Sequence, residues 1–147
     1  DRRQRQMCIR DSYNEEGLLN SYLGKYLEAI SFYKQASRIN EHPLEASYNI
    51  AISLTRWKGL TASQKEVEQA RTLLLNLLAT DENNLQALYG LGGLEALEGR
   101  NDSALDYLEK AIMQNEQARQ WARHDIAWQD LQNNPRFLSL MSLSQSC

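Results

Sequence analysis

The sequence predicts an all-α chain built from antiparallel helix hairpins, and three observations carry that prediction. Composition comes first. The 147 residues include only two prolines and seven glycines, and the middle of the chain is rich in alanine, leucine, glutamate and glutamine. Such residues favour helix, and the scarcity of β-branched side chains argues against a sheet. The second observation is an internal period in the placing of small and large apolar residues. The third is a glycine turn that recurs between the two halves of each period.

The period is legible position by position. Gly24, Tyr26, Ala29, Tyr33 and Ala36 have counterparts 75 residues on at Gly99, Asn101, Ala104, Leu108 and Ala111. A middle copy stands at Ala70, Leu74 and Leu77. Ala70 lies 41 residues after Ala29 and 34 before Ala104. The first helices repeat the relation: Gly17 to Ala51 is 34, and Ala51 to Gly92 is 41. Both series therefore place one seven-residue insertion between Ala51 and Ala70. Small residues let helix axes approach, and large ones fill the groove between neighbouring hairpins. The turns read Leu23, Gly24, Lys25, Tyr26 and Glu98, Gly99, Arg100, Asn101, where glycine can take the left-handed conformation that closes a helix.

A 34-residue period with these residue types resembles the tetratricopeptide repeat (TPR). The resemblance covers roughly residues 13–116, and a tail motif extends it to about 141. It implies a right-handed superhelical stack of about three hairpins: 12–43, 44–84 and 85–116, then a cap at 117–141 and a disordered tail at 142–147. Some positions depart from the pattern. Glu16 and Asn20 stand where apolar residues are usual, and Leu77 is large where alanine is usual. Pro43 is displaced in the first copy, and Asp81, Glu82, Asn83 and Asn84 make the turn that proline makes elsewhere.

Taken in order, the elements begin with a basic arm. Residues 1–11 hold Arg2, Arg3, Arg5 and Arg10 and show no apolar period. Such an arm suits an electrostatic tether or a disordered end. It also resembles a translated sequencing adapter, and on that ground it is set apart as a non-native or disordered segment. Without it the chain keeps 12 basic and 17 acidic side chains. The insertion in the second hairpin spans almost two helical turns and preserves the helix face. Thr61 with Gln64, and Ser63 with Glu66, look like capping boxes, so the second helix is expected to start near Thr61–Lys65, after a turn at Lys58, Gly59 and Leu60, and to project beyond its neighbours. After Glu116 the period is lost. Asn134 followed by Pro135 is a helix start, and Phe137, Leu140 and Met141 make one apolar face. With Trp128 and Leu131 they resemble the cap that closes many TPR arrays.

Function classes narrow by chemistry. No stretch reaches the roughly 18–20 apolar residues of a membrane span, and no secretory leader is visible. The net charge of −3 offers no global field for nucleic acid. Cys8 and Cys147 stand at opposite ends, which favours free thiols in the cytoplasm or another reducing soluble compartment. His124 and Asp125 are neighbours in sequence and point in different directions on a helix, so they make no catalytic pair. His42 and His124 share no ligand spacing. Gly90, Leu91, Gly92 and Gly93 follow no strand and make no dinucleotide loop. No catalytic residue, metal or cofactor is expected.

What the TPR resemblance implies is a binding groove lined by the first helix of each hairpin. Carried over by position, it takes Glu45, Tyr48, Asn49, Ile52, Thr55 and Arg56 from the second hairpin. From the third it takes Gln86, Tyr89, Gly90, Gly93, Ala96 and Leu97. Asn49 stands where chaperone-binding TPR domains fix a ligand carboxylate, but Tyr48 and Gly90 replace two cations of that clamp, which disfavours chaperone tails. The tyrosines suit inter-repeat packing equally well. The implied function is a scaffold or assembly factor holding a segment of another protein. The alternatives are a targeting module of a larger enzyme or regulator, and a self-associating repeat protein.

Overall fold

The computed structural model describes residues 2–39 and 44–142. Among these the elements run α1 (Arg2–Tyr22), α2 (Tyr26–Ile39), α3 (Leu44–Lys58), α4 (Leu60–Thr80), α5 (Leu85–Leu97), α6 (Asn101–Gln114), α7 (Ala118–His124), a 3₁₀ segment (Ile126–Leu131) and α8 (Pro135–Ser142). No strand occurs among the described residues. The chain divides into two compact units, Asp1–Ala70 and Arg71–Cys147. Pro43, His42 and Cys147 lie outside the described residues, as does all of the expected tail except Ser142.

In the first unit α1 packs on α2 and α2 on α3. Helix α1 starts at Arg2, so it takes in the segment set apart above as a non-native or disordered arm. Nothing in residues 2–11 breaks a helix: they contain no glycine or proline, and arginine, glutamine and methionine propagate one well. The α1–α2 contact is close because Gly17 lies beneath Tyr33. A Cβ on Gly17 would come within 2.5 Å of the ring. Glu16 is exposed, and Asn20 donates its Nδ2 to the Glu16 carbonyl at 2.8 Å, so these polar departures face away from the core.

Buried hydroxyls knit this unit together. The Ser21 hydroxyl lies 3.4 Å from that of Tyr33 and 3.2 Å from that of Ser53. Thr55 on α3 lies 2.5 Å from the Ser63 hydroxyl on α4. Each such bond is worth about 1 kcal/mol net, and an orphaned member would cost more.

The second hairpin carries the insertion. Helix α4 has 21 residues where α2 and α6 have 14 each, and the seven-residue difference equals the sequence offset. It starts at Leu60, ahead of the expected 61–65. Gly59 alone separates it from α3, with φ of 89°. The expected capping boxes therefore lie inside the helix. Ser63 instead donates back to the Gly59 and Leu60 carbonyls at 3.1 and 3.3 Å.

In the second unit α5 is the central helix. Ten of its 13 residues are buried, including the unbroken run 87–94. A helix apolar all round must be covered all round. Helix α6 and the 3₁₀ segment pack on it. Asn84 caps it, its Oδ1 accepting from the Ala87 amide at 2.9 Å. Arg71 pairs with Glu95 at 3.0 Å and with Glu98, and Arg100 pairs with the same two carboxylates. This tetrad ties α4 to the turn closed by Gly99.

Gly92 sets how near α6 can come. A Cβ there would meet Trp128 Cη2 at 3.0 Å, Tyr107 Cβ at 3.1 Å and the Ala104 carbonyl oxygen at 3.2 Å. The carbonyl belongs to a backbone that cannot yield alone. Gly92→Ala is therefore expected to destabilise the chain by about 1–3 kcal/mol, even though alanine is the better helix former. Urea unfolding checks this; a rise in midpoint would mean that the contact is looser than described.

Candidate functional site

The residues assigned to a groove sit on α3 and α5, at spacings that put each set along one side of its helix. Their exposure divides them. On α3, Glu45 is exposed and Asn49 and Arg56 are partly so, whereas Tyr48, Ile52 and Thr55 are buried. Thr55 is committed to structure, since its hydroxyl donates to the Ala51 carbonyl at 2.8 Å and meets Ser63. On α5, Gln86 is exposed, whereas Tyr89, Gly90, Gly93, Ala96 and Leu97 are buried.

Burial on α5 has named causes. Gly90 lies under Leu74 of α4: a Cβ would come within 2.7 Å of Leu74 Cδ2. The glycine therefore serves helix packing, which accounts for a residue that otherwise weakens a helix by about 1 kcal/mol. Tyr89 donates its hydroxyl to Asp125 Oδ2 at 2.8 Å. Its ring meets Trp121 edge-on at 5.4 Å between centroids and lies 6.0 Å from Trp128. Tyr89 thus packs α5 against the C-terminal segment, a contact outside the repeats rather than the inter-repeat packing considered from the sequence.

Several structural roles escaped the sequence. In the sequence Asp125 stands out only as the neighbour of His124. It caps the 3₁₀ segment, its Oδ1 accepting from the Ala127 amide at 2.9 Å, while its other oxygen holds Tyr89. His124 is exposed at the end of α7. Arg119, buried on α7, donates Nε to the Leu140 carbonyl at 2.9 Å, and Arg123 donates to Met141 at 2.9 Å. Two guanidinium groups thus meet the carbonyls at the negative end of α8, where cations are favoured. The one available signal was placement: two arginines four apart, just after the period fails. Asn134 does cap α8, its Oδ1 accepting from the Arg136 and Phe137 amides at 2.9 and 3.2 Å. Arg136 then reaches Asp106 at 2.7 Å and Glu109 at 3.2 Å. The hydrogen bond to Asp106, above all, raises its guanidinium above the ordinary value. Among the described residues no three His, Cys, Asp or Glu side chains gather as metal ligands would.

Glycine-closed helix hairpins with small residues at their crossings are the architecture, and one comparison finds a likeness for part of it. Residues 11–43 match the family model of the tetratricopeptide repeat. This segment resembles a TPR repeat. The match covers the latter part of α1 and all of α2, and the rest of the chain lies outside it. No curated protein matches the chain significantly. TPR repeats are in general protein–protein interaction modules and typically carry no catalysis. No helix among the described residues is long and apolar enough to cross a membrane.

The Tyr89–Asp125 bond gives a direct test of the packing role. Tyr89→Phe keeps the ring and removes the donor, and is expected to cost about 1 kcal/mol. Tyr89→Ala also removes the ring, and is expected to cost about 3–5 kcal/mol. Chemical denaturation measures both; equal stability for the wild type and Tyr89→Ala would remove Tyr89 from the account.

Proposed function

We propose that the chain is a protein-interaction scaffold or assembly factor and holds a segment of a partner protein along the first helices of its hairpins. The observation that carries this is the TPR match on a chain of helix hairpins. The burial of Tyr48, Ile52, Thr55, Tyr89, Gly90 and Gly93 narrows the candidate contacts. Glu45, Asn49 and Arg56 on α3 and Gln86 on α5 are the assigned residues with accessible surface. They offer one amide, one guanidinium and one carboxylate on α3, a set suited to hydrogen-bonding an extended backbone. No catalytic role, cofactor or nucleic acid enters this reading, and the compartment proposed is the cytoplasm.

Affinity capture with wild-type chain and with Asn49→Ala/Arg56→Ala tests it. Both side chains lie partly in solvent, so the variant is expected to keep its helicity by circular dichroism and to lose partner affinity by about tenfold. Identical partner lists and affinities would take the α3 face out of the proposal.

A second reading, self-association, has its own support. Leu18, Leu19, Tyr22, Leu23 and Leu27 surround the α1–α2 turn, and each is between 44% and 61% exposed. Large apolar side chains clustered in solvent mark association surfaces. On this reading light scattering shows a mass that rises with concentration, and Leu19→Glu/Leu23→Glu returns it to the monomer. A monomer mass for the wild type at micromolar concentration would end it.

A further inference from the structure

The turns at Gly24, Gly59 and Gly99 are not built alike. Around Gly24 and Gly99 the chain leaves the helical pattern. Their amides donate to the Ser21 and Ala96 carbonyls, three residues back, and the Lys25 and Arg100 amides donate to Asn20 and Glu95, five back. At Gly59 the pattern is kept on both sides. Its amide donates to the Thr55 carbonyl at 2.7 Å, and its carbonyl accepts from the Ser63 amide at 3.3 Å. Each pair is four residues apart, as in an α-helix. The φ of 89° at Gly59 is what divides α3 from α4. Glycine takes either sign of φ readily. A helical φ there lets Leu60, Thr61 and Ala62 donate to Arg56, Trp57 and Lys58, which joins α3 and α4 into one helix.

The straight form costs contact. Ser63, Val67 and Ala70 lie at i, i+4 and i+7 on one side of α4, and each is at most 3% exposed. The Thr55 hydroxyl of α3 meets that side at Ser63, 2.5 Å away. A lone chain that straightens at Gly59 swings α3 away from Ser63 and gives up this contact. The surface that fits is α3 itself with Thr55 in register, and a second straightened copy supplies it. The contacts of α3 with α4 then re-form between chains, and only the hinge differs.

We propose that Gly59 is a hinge through which two copies of the chain exchange this pairing, giving a dimer in which α3 of each packs on α4 of the other. Short hinges invite such exchange. Glycine holds the wild type towards the monomer, because it is a poor residue in a helix interior and joining two chains costs entropy. Exchange therefore requires concentrated protein, and it is slow because α3 must first leave α4. This dimer is distinct from the self-association described above: Leu19→Glu/Leu23→Glu leaves it intact.

The hinge is tested by substitution. Alanine is strained at positive φ and favours helix. Gly59→Ala is expected to lower the concentration giving half dimer by about tenfold or more, while Gly59→Asn, which tolerates positive φ, stays near wild type. To show which chain supplies α3, Thr55→Cys/Ser63→Cys is placed in a Cys8→Ser/Cys147→Ser background. The sulfurs take the places of hydroxyls 2.5 Å apart, close to the roughly 2.05 Å of a disulfide. The full chain is refolded from urea at millimolar concentration, oxidised and separated by size. The dimer fraction is expected to remain a covalent dimer on a non-reducing denaturing gel, and the monomer fraction a monomer. Should Gly59→Ala fail to fold by circular dichroism, the Gly59 chain decides by the same gel. A dimer that falls to monomers on the gel, or no dimer from the folded chains, overturns the proposal.

Discussion

Helix α5 imposes the constraint on which the C-terminal unit depends. Its sequence is apolar all round and interrupted by glycines, so it has no polar face to give to solvent. Every neighbour can be understood as a cover for it. Leu74 closes over Gly90, α6 approaches at Gly92, and Trp121 and Trp128 flank Tyr89. Trp128 is wholly buried and stacks 6.3 Å from Phe137. The arginines of α7 and the Asn134 cap then hold α8 in place over the same cluster.

The N-terminal unit solves a related problem by other means. Its helices touch through small residues and buried hydroxyls, with Gly17 under Tyr33 and Ser21, Ser53, Thr55 and Ser63 bonded across helix boundaries. Hydrogen bonds are directional where apolar contacts are not, so this unit is fixed in register by geometry. The pairing of Thr55 with Ser63 has a further consequence. It secures the start of α4 against the end of α3 across the Gly59 turn.

Much of this was legible in the sequence, for identifiable reasons. Gly24 and Gly99 announced turns because their positive φ values of 75° and 83° suit glycine alone. The spacing of Ala29, Ala70 and Ala104 located the second helices, and the excess of seven located the long one, because helical contacts repeat with the chain. Asn134 and Pro135 marked the start of α8 for the same local reason. What escaped was set by distance in sequence. Asp125 meets Tyr89 from 36 positions away, and Arg119 meets Leu140 from 21, so no local pattern signals either bond. Helix α4 starts at Leu60, one residue ahead of the expected Thr61–Lys65, with Thr61 and Ser63 inside its first turn rather than capping it. Position on a helix face also cannot tell a lining residue from a sealed one: Tyr48 and Tyr89 occupy equivalent places, and both are buried.

The C-terminal segment is part of the fold because α5 needs it as cover. Ending the chain at Gln117 removes α7, the 3₁₀ segment and α8 together. The account predicts that the shortened chain loses its cooperative thermal transition and binds a hydrophobic dye such as ANS, which reports exposed apolar surface. A shortened chain with the melting temperature of the full one and no dye binding would contradict it.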